Sequence, residues 1–157
     1  MNGVIGIEEL MWLQPLFGSE ESCTEAIDRR ERLNPQDQRP VILVADDEPL
    51  IRQTIVEILR SEGFDAVGVK DGMEAVECAP RLKPKVFLAD VYMPRLNGIE
   101  AAKAIRDLLP NTRVICFSGH ASTSGLMEEA RENGQQFEFL SKPIRPEILV
   151  KTINRES

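Results

Sequence analysis

From Pro40 onward the chain alternates between short apolar runs and segments whose apolar residues recur at helical spacing. Val41 to Ala45 (VILVA) is β-branched and too short for a helix, so it predicts a strand buried on both faces. After Pro49, Ile51, Ile55, Ile58 and Leu59 fall at i, i+4, i+7 and i+8, the stripe of an amphipathic helix, which EGF then ends. DAVGV predicts a weaker second strand, a helix follows from about Gly72 to Arg81, and VFLAD predicts a third buried strand. The third helix carries Ile99, Ala102, Ile105 and Leu109 on one face. RVICFS makes strand four, Gly125 to Asn133 a short helix, FEFL strand five and Pro146 to Asn154 the last helix. Five βα units with short connections are the signature of a doubly wound α/β fold, a parallel sheet with helices on both faces.

The region before Pro40 lacks this alternation. Residues 19 to 40, SEESCTEAIDRRERLNPQDQRP, are dense in charge and carry almost no apolar period, which predicts a solvated linker or a loosely held helix. Val4 to Phe17 is more apolar, with Ile7, Leu10, Met11 and Trp12 near helical spacing. It reads either as a weakly docked tail or as a helix that binds a partner or a second copy of the chain. The expected organisation is an N-terminal extension, linker or partly disordered, over 1–39 and a single domain over 40–157.

Composition narrows the function classes. A chain of 157 residues, 42% hydrophobic, supports one domain with a core of its own. The formal charge of -7, with no basic cluster, argues against a nucleic-acid partner held through phosphates. Cys23, Cys78 and Cys116 are an odd set without C-x-x-C spacing, which suggests neither a disulfide framework nor a zinc knuckle, and a reducing cytoplasm is the expected location. The N-terminus lacks the positive start of a signal peptide, and no window approaches the ~18 apolar residues that span a bilayer, so no membrane partner is expected.

In a doubly wound sheet the ligand site lies outside the carboxyl ends of the strands. Strand one ends in Asp46, Asp47 and Glu48, strand three in Asp90, and strand four in Ser118 and Gly119; strand five is followed by Lys142 and Pro143. Lys70 and Asp71, ending strand two, belong farther out. Singly, an Asp or Ser at a strand end caps a turn or helix. Jointly, three acids, a hydroxyl and an ammonium fall on one sheet edge. Clustered carboxylates raise one another's pKa unless a cation offsets them, and hard oxygen ligands of this kind suit Mg²⁺ bridging to a phosphate. Lys142 and Ser118 would then stabilise phosphoryl oxygens.

These residues resemble the receiver domain of two-component response regulators. The resemblance rests on VADDE, LADVYMPRLNG, CFSG and FLSKP, in order, and covers about residues 40 to 154. It implies a flavodoxin-like (βα)5 fold with strand order 2-1-3-4-5. Asp90 is the implied phosphoacceptor, Asp46 and Asp47 the acidic pair for Mg²⁺ (or Mn²⁺), and the Tyr92 carbonyl a further metal ligand. Ser118 is the implied hydroxyl that turns toward the phosphoryl group, Lys142 its ion-pairing lysine, and Phe139 the aromatic switch. Tyr92 and His120 stand where side chains influence access of hydrolytic water.

The resemblance also implies a phosphodonor, a histidine kinase or histidine phosphotransfer protein, and a downstream protein target. A homodimer through the fourth helix, fifth strand and fifth helix of the series, or through the N-terminal extension, is an open alternative. The implied protein phosphorylates and dephosphorylates itself and is no conventional enzyme. It would signal by protein contact, alone or within a longer regulator.

Two departures from the family pattern stand out. Phe139 replaces the commoner tyrosine and so lacks a phenolic hydroxyl, and ASTSG supplies poor helix formers to the fourth helix, whose first turn is therefore expected to be loose or displaced. Cys116, on a buried strand position, reads as a small apolar filler. Two competing functions would leave different marks on the sequence. A receiver-like docking module without phosphorylation would usually lack one of the five polar residues. A Mg²⁺-dependent aspartyl-phosphate phosphatase would carry Asp-x-Asp on the first strand and a cap domain.

Overall fold

In the computed structural model, residues 20–119, 123–134 and 137–155 are described. Five parallel strands, β1 (Val41–Ala45), β2 (Asp65–Val69), β3 (Val86–Asp90), β4 (Arg113–Ser118) and β5 (Glu138–Ser141), form one sheet in the order β2-β1-β3-β4-β5. The helices are α1 (Cys23–Glu31), α2 (Pro49–Ser61), α3 (Gly72–Leu82), α4 (Gly98–Leu108), α5 (Thr123–Glu132) and α6 (Pro146–Asn154). The fold and strand order are those expected.

Alternation along the buried strands sorts side chains to two cores. Val41, Leu43 and Ala45 of β1 join Phe87, Ala89, Val114 and Cys116 under α3 and α4, where Ala75, Ala79, Ile99 and Ile105 meet them. Ile42 and Val44 join Leu88, Ile115 and Phe117 on the opposite face, with Ile55 and Leu59 of α2 and Leu149 and Ile153 of α6. Neither face of β1 or β3 meets water, which is why both read as unbroken apolar runs.

Local signals set the helix ends. Pro49 opens α2 at its first helical position, where no amide hydrogen is required. Gly63, at φ 94°, ends it in a conformation that L side chains rarely adopt. Asn97 and Glu100 cap α4 reciprocally. The fourth helix of the series, α5, opens at Thr123, two residues before the expected Gly125, so Thr123 and Ser124 are helical despite weak propensity. The rest of the turn expected to be loose falls on 120–122, outside the described residues.

The segment before Pro40 departs most from expectation. Of the two expectations, a solvated linker or a loosely held helix, the segment forms a helix, but α1 is docked rather than loose, with Cys23, Ala26 and Ile27 buried against the core beneath α3. A capping box of Ser22 and Glu25 starts it. It lies over the edge strand β2, where Arg29 and Arg30 both donate to Asp65, the closest contact of each being 2.7 Å. Burial alone would raise the Asp65 pKa, but these two guanidinium groups hold it below the usual carboxylate range.

The cysteines also differ from the expectation that they form no disulfide framework. Cys23 and Cys78, 55 residues apart, are joined by a disulfide with a Cα–Cα separation of 6.5 Å. Spacing in the sequence cannot reveal this bond, because only the docking of α1 brings Cys23 to α3. Cys116 is fully buried, and burial pushes its thiol up to about 12, in keeping with a filler. Among the described residues no helix is long and apolar enough to cross a membrane. The apolar segment Val4 to Phe17 lies outside the described residues.

Candidate functional site

Parallel strands end together at one edge of the sheet, and that edge gathers the acids. Oxygen atoms of Asp46, Asp47 and Asp90 lie within 4.8 Å of one another, although Asp90 is far from the other two in sequence. Asp46 follows β1, where its amide bonds the Val69 carbonyl of β2, and Asp90 closes β3. Both are buried, whereas Asp47 is exposed.

Three features hold these carboxylates. The Glu48 amide donates to Asp46 Oδ1 at 2.9 Å, and the Tyr92 amide to Asp90 Oδ1 at 3.3 Å. Lys142 Nζ donates to Asp90 Oδ2 at 3.1 Å and stands 5.3 Å from the centroid of the Phe117 ring. Asp46 Oδ2 is buried without a hydrogen-bond partner among the described residues. A buried, unpartnered carboxylate oxygen facing two further carboxylates suits a hard divalent cation better than an all-protein network.

The electrostatics agree. Burial, reinforced by Asp90 and Asp47, raises the Asp46 pKa to about 7 despite the Glu48 amide and Lys142. Asp90 is also raised, because burial outweighs its ion pair with Lys142. Burial on its own would lower the Lys142 pKa, but Asp90 and Asp46 raise it, so the ammonium stays charged. One lysine therefore leaves the excess negative charge of the cluster only partly offset.

The loop after β3 shapes the site. The Gly98 amide donates to the Val91 carbonyl at 2.9 Å, closing the turn that carries Tyr92, Met93 and Pro94. A Cβ on Gly98 would stand 2.2 Å from the Asp90 carbonyl oxygen, so glycine is required here by close approach. Arg95, at φ 68°, extends from this turn to pair with Asp71, which caps α3.

The other expected residues stand nearby. Ser118 ends β4 beside β3, and its carbonyl accepts from the Lys142 amide at 3.1 Å. Gly119 lets Lys142 pass closely, since a Cβ there would meet Lys142 Cβ at 3.3 Å. Phe139 lies opposite Cys116 on β5, half-buried against the core beneath α3 and α4. Tyr92 is exposed at the rim. His120 is outside the described residues.

Sequence reasoning missed Arg52 and Glu20. From α2, Arg52 Nη1 donates to the main-chain carbonyl of Asp46 at 2.7 Å, while its other nitrogens grip the Glu20 carboxylate, Nη2 to Oε2 at 2.8 Å. The position of Arg52 near the start of α2, close after the acidic pair, was a usable signal. Glu20 offered none.

The family model of the response regulator receiver domain matches residues 42–154, nearly the whole of the sheet and its helices. The chain belongs to the response regulator receiver family, the signalling domains of two-component systems. It is 31% identical over 117 residues to the chemotaxis protein CheY of Thermotoga maritima, covering 74% of this chain and 96% of that one. With the transcriptional regulatory protein PdtaR of Mycobacterium tuberculosis it shares 40% identity over 115 residues, which is 71% of this chain and 54% of that protein, so it spans about half of that relative's length. Among solved structures it is similar to the chemotaxis protein CheY4 of Vibrio cholerae, with a TM-score of 0.67 and 30% identity over 74% of this chain and 98% of that one. The phosphatase alternative is not favoured, because two acids stand adjacent just after β1 and one stands alone at the end of β3.

Proposed function

We propose that the protein accepts a phosphoryl group on Asp90 and thereby switches a protein-binding face. The observation that carries this reading is the convergence of Asp46, Asp47 and Asp90, with a buried unpartnered oxygen on Asp46 and Lys142 bonded to Asp90. The donor is a phosphohistidine on a histidine kinase or phosphotransfer protein. Asp46, Asp47 and Asp90, with the Tyr92 carbonyl, would hold Mg²⁺, which when bound neutralises charge on the transferring phosphoryl oxygens.

The chain's own groups do the rest. An Asp90 carboxylate oxygen attacks phosphorus, the O–P bond forms as the P–N bond of the donor breaks, and the electron pair leaves with the imidazole. Lys142, already within hydrogen-bonding distance of Asp90, moves its charge to the phosphoryl oxygens. Ser118, at the end of the neighbouring strand, supplies a hydroxyl to them. The acyl phosphate brings nearly two negative charges to the end of β3, and Phe139 follows the rearranged loop after β4 inward. The responding surface is that of α5, β5 and α6, which meets a downstream protein or a second copy. Tyr92 and His120, at the rim, modulate access of water and so the lifetime of the phosphoryl group.

Residues 40–157 act as the receiver, with the N-terminal segment as an appendage, in a cytoplasmic setting. The domain modifies itself and turns over no separate substrate. Incubation with Mg²⁺ and acetyl phosphate should add one phosphoryl group by intact mass, and Asp90→Asn should abolish it. Persistence of the adduct in that variant, or its absence from the wild-type protein, would refute the assignment and favour a docking module.

A further inference from the structure

The docked N-terminal helix is joined to the acidic site by a short chain of polar contacts. Glu20 lies three residues before Cys23, and its carboxylate holds the Arg52 guanidinium through Nε and Nη2. Arg52, only 7% exposed, uses Nη1 to hold the Asp46 carbonyl at 2.7 Å. Beneath the pair is Gly68 of β2, where a Cβ would stand 3.1 Å from both Glu20 Oε1 and Arg52 Cγ, so the strand leaves room for the two side chains to meet. The Glu20 end of this chain is tethered by the Cys23–Cys78 disulfide to α3.

We propose that the Cys23–Cys78 disulfide is a redox latch that sets the Mg²⁺ affinity of the acidic site through Glu20 and Arg52. Latched, Glu20 neutralises Arg52 and keeps the guanidinium on the Asp46 main chain, which leaves the Asp46 carboxylate to the cation. Unlatched, the lead-in to α1 loses its covalent tie. Arg52 is then left with an uncompensated charge beside the carboxylates, which competes with the cation. Opening the latch breaks the S–S bond with two electrons and two protons taken from a dithiol, which itself becomes a disulfide. Glu20 and Arg52 are positioning residues, since neither would touch the metal or the phosphoryl group. The inference rests on the reading that the acidic cluster binds Mg²⁺.

Titration of the full chain with Mg²⁺ alone, followed by isothermal calorimetry, tests the latch, with thiol content confirming the redox state. Reduction by dithiothreitol should raise the Mg²⁺ dissociation constant about tenfold, the lower end for loss of an outer-shell contact. Glu20→Gln should weaken oxidised protein to a similar extent and make it insensitive to reduction, whereas Glu20→Asp should retain part of the affinity and of the redox response. Glu31→Gln removes the exposed pair with Arg81 from the same helix without touching the relay, and should leave the constant unchanged. Gly68→Ala, which crowds the pair without altering either charge, should weaken oxidised protein as reduction does.

Equal affinities in the oxidised and reduced wild type would overturn the latch while leaving the Mg²⁺ site intact. A redox response that survives Glu20→Gln would overturn the route through Glu20. Absence of Mg²⁺ binding in the oxidised wild type would instead overturn the function on which the latch rests.

Discussion

Gly98→Ala probes the tightest contact at the site. The added Cβ would lie 2.2 Å from the Asp90 carbonyl oxygen, 2.9 Å from its carbonyl carbon and 3.1 Å from Val91 Cα. A carbon and a carbonyl oxygen ordinarily approach no closer than about 3.3 Å, so the start of α4 and the end of β3 must part by about 1 Å. All three atoms belong to backbone, which cannot rotate away as a side chain would. Alanine favours the helix over glycine by at most about 1 kcal/mol, and overpacking of this kind costs about 3 kcal/mol, so a net loss of about 2 kcal/mol is expected. The displaced residue is Asp90 itself, and a shift of about 1 Å in a reacting group slows transfer by about a hundredfold. Denaturant unfolding measures the first quantity, and the initial rate of acetyl-phosphate labelling measures the second. A variant as stable and as reactive as the wild type would refute the close-approach argument.

Other outcomes follow from the same geometry. Lys142→Ala removes a positive charge 3.1 Å from Asp90, so Mg²⁺ should bind about threefold to tenfold more tightly by calorimetry, and an unchanged or weakened constant would contradict the electrostatic account. Asp46, raised to about 7, favours the metal-free fold below its unfolded value of about 3.9, and that contribution is lost as pH rises through about 7. Thermal midpoints without metal should therefore fall as pH rises from about 4 to about 7 and level off above that, and Mg²⁺ or Asp46→Asn should flatten the fall. Asp65→Asn should cost about 1–2 kcal/mol, with the exposure of Arg29 allowed for, because two guanidinium groups lose their common carboxylate. Asp65 is held below its ordinary value, so its contribution is present at neutral pH and disappears as pH falls through that lowered pKa, a loss measurable by acid unfolding.

Much of this protein was legible without coordinates. VILVA and VFLAD are unbroken apolar runs because both faces of β1 and β3 are covered, and the 3.6-residue stripes of α2 and α4 mark the faces they bury. The site residues were legible because strand ends in a parallel sheet share one edge, so Asp46, Asp90, Ser118 and Lys142 could be collected by position alone. Less of α5 was visible, since helix propensity is a weak prior and Thr123, Ser124 and Gly125 join it against theirs.

The N-terminal segment marks the limit. CTEAIDRRE shows a low apolar count because α1 needs to bury only Cys23, Ala26 and Ile27, and its charged residues are spent on partners distant in sequence. Local pattern thus determined the strands, the helices and the acids at the strand ends, since periodicity acts within short stretches of chain, whereas the strand order was implied by the family resemblance. The disulfide, the Glu20–Arg52–Asp46 relay and the close approach of Gly98 to Asp90 were decided only by tertiary structure, because each depends on the distance between segments that no local pattern encodes.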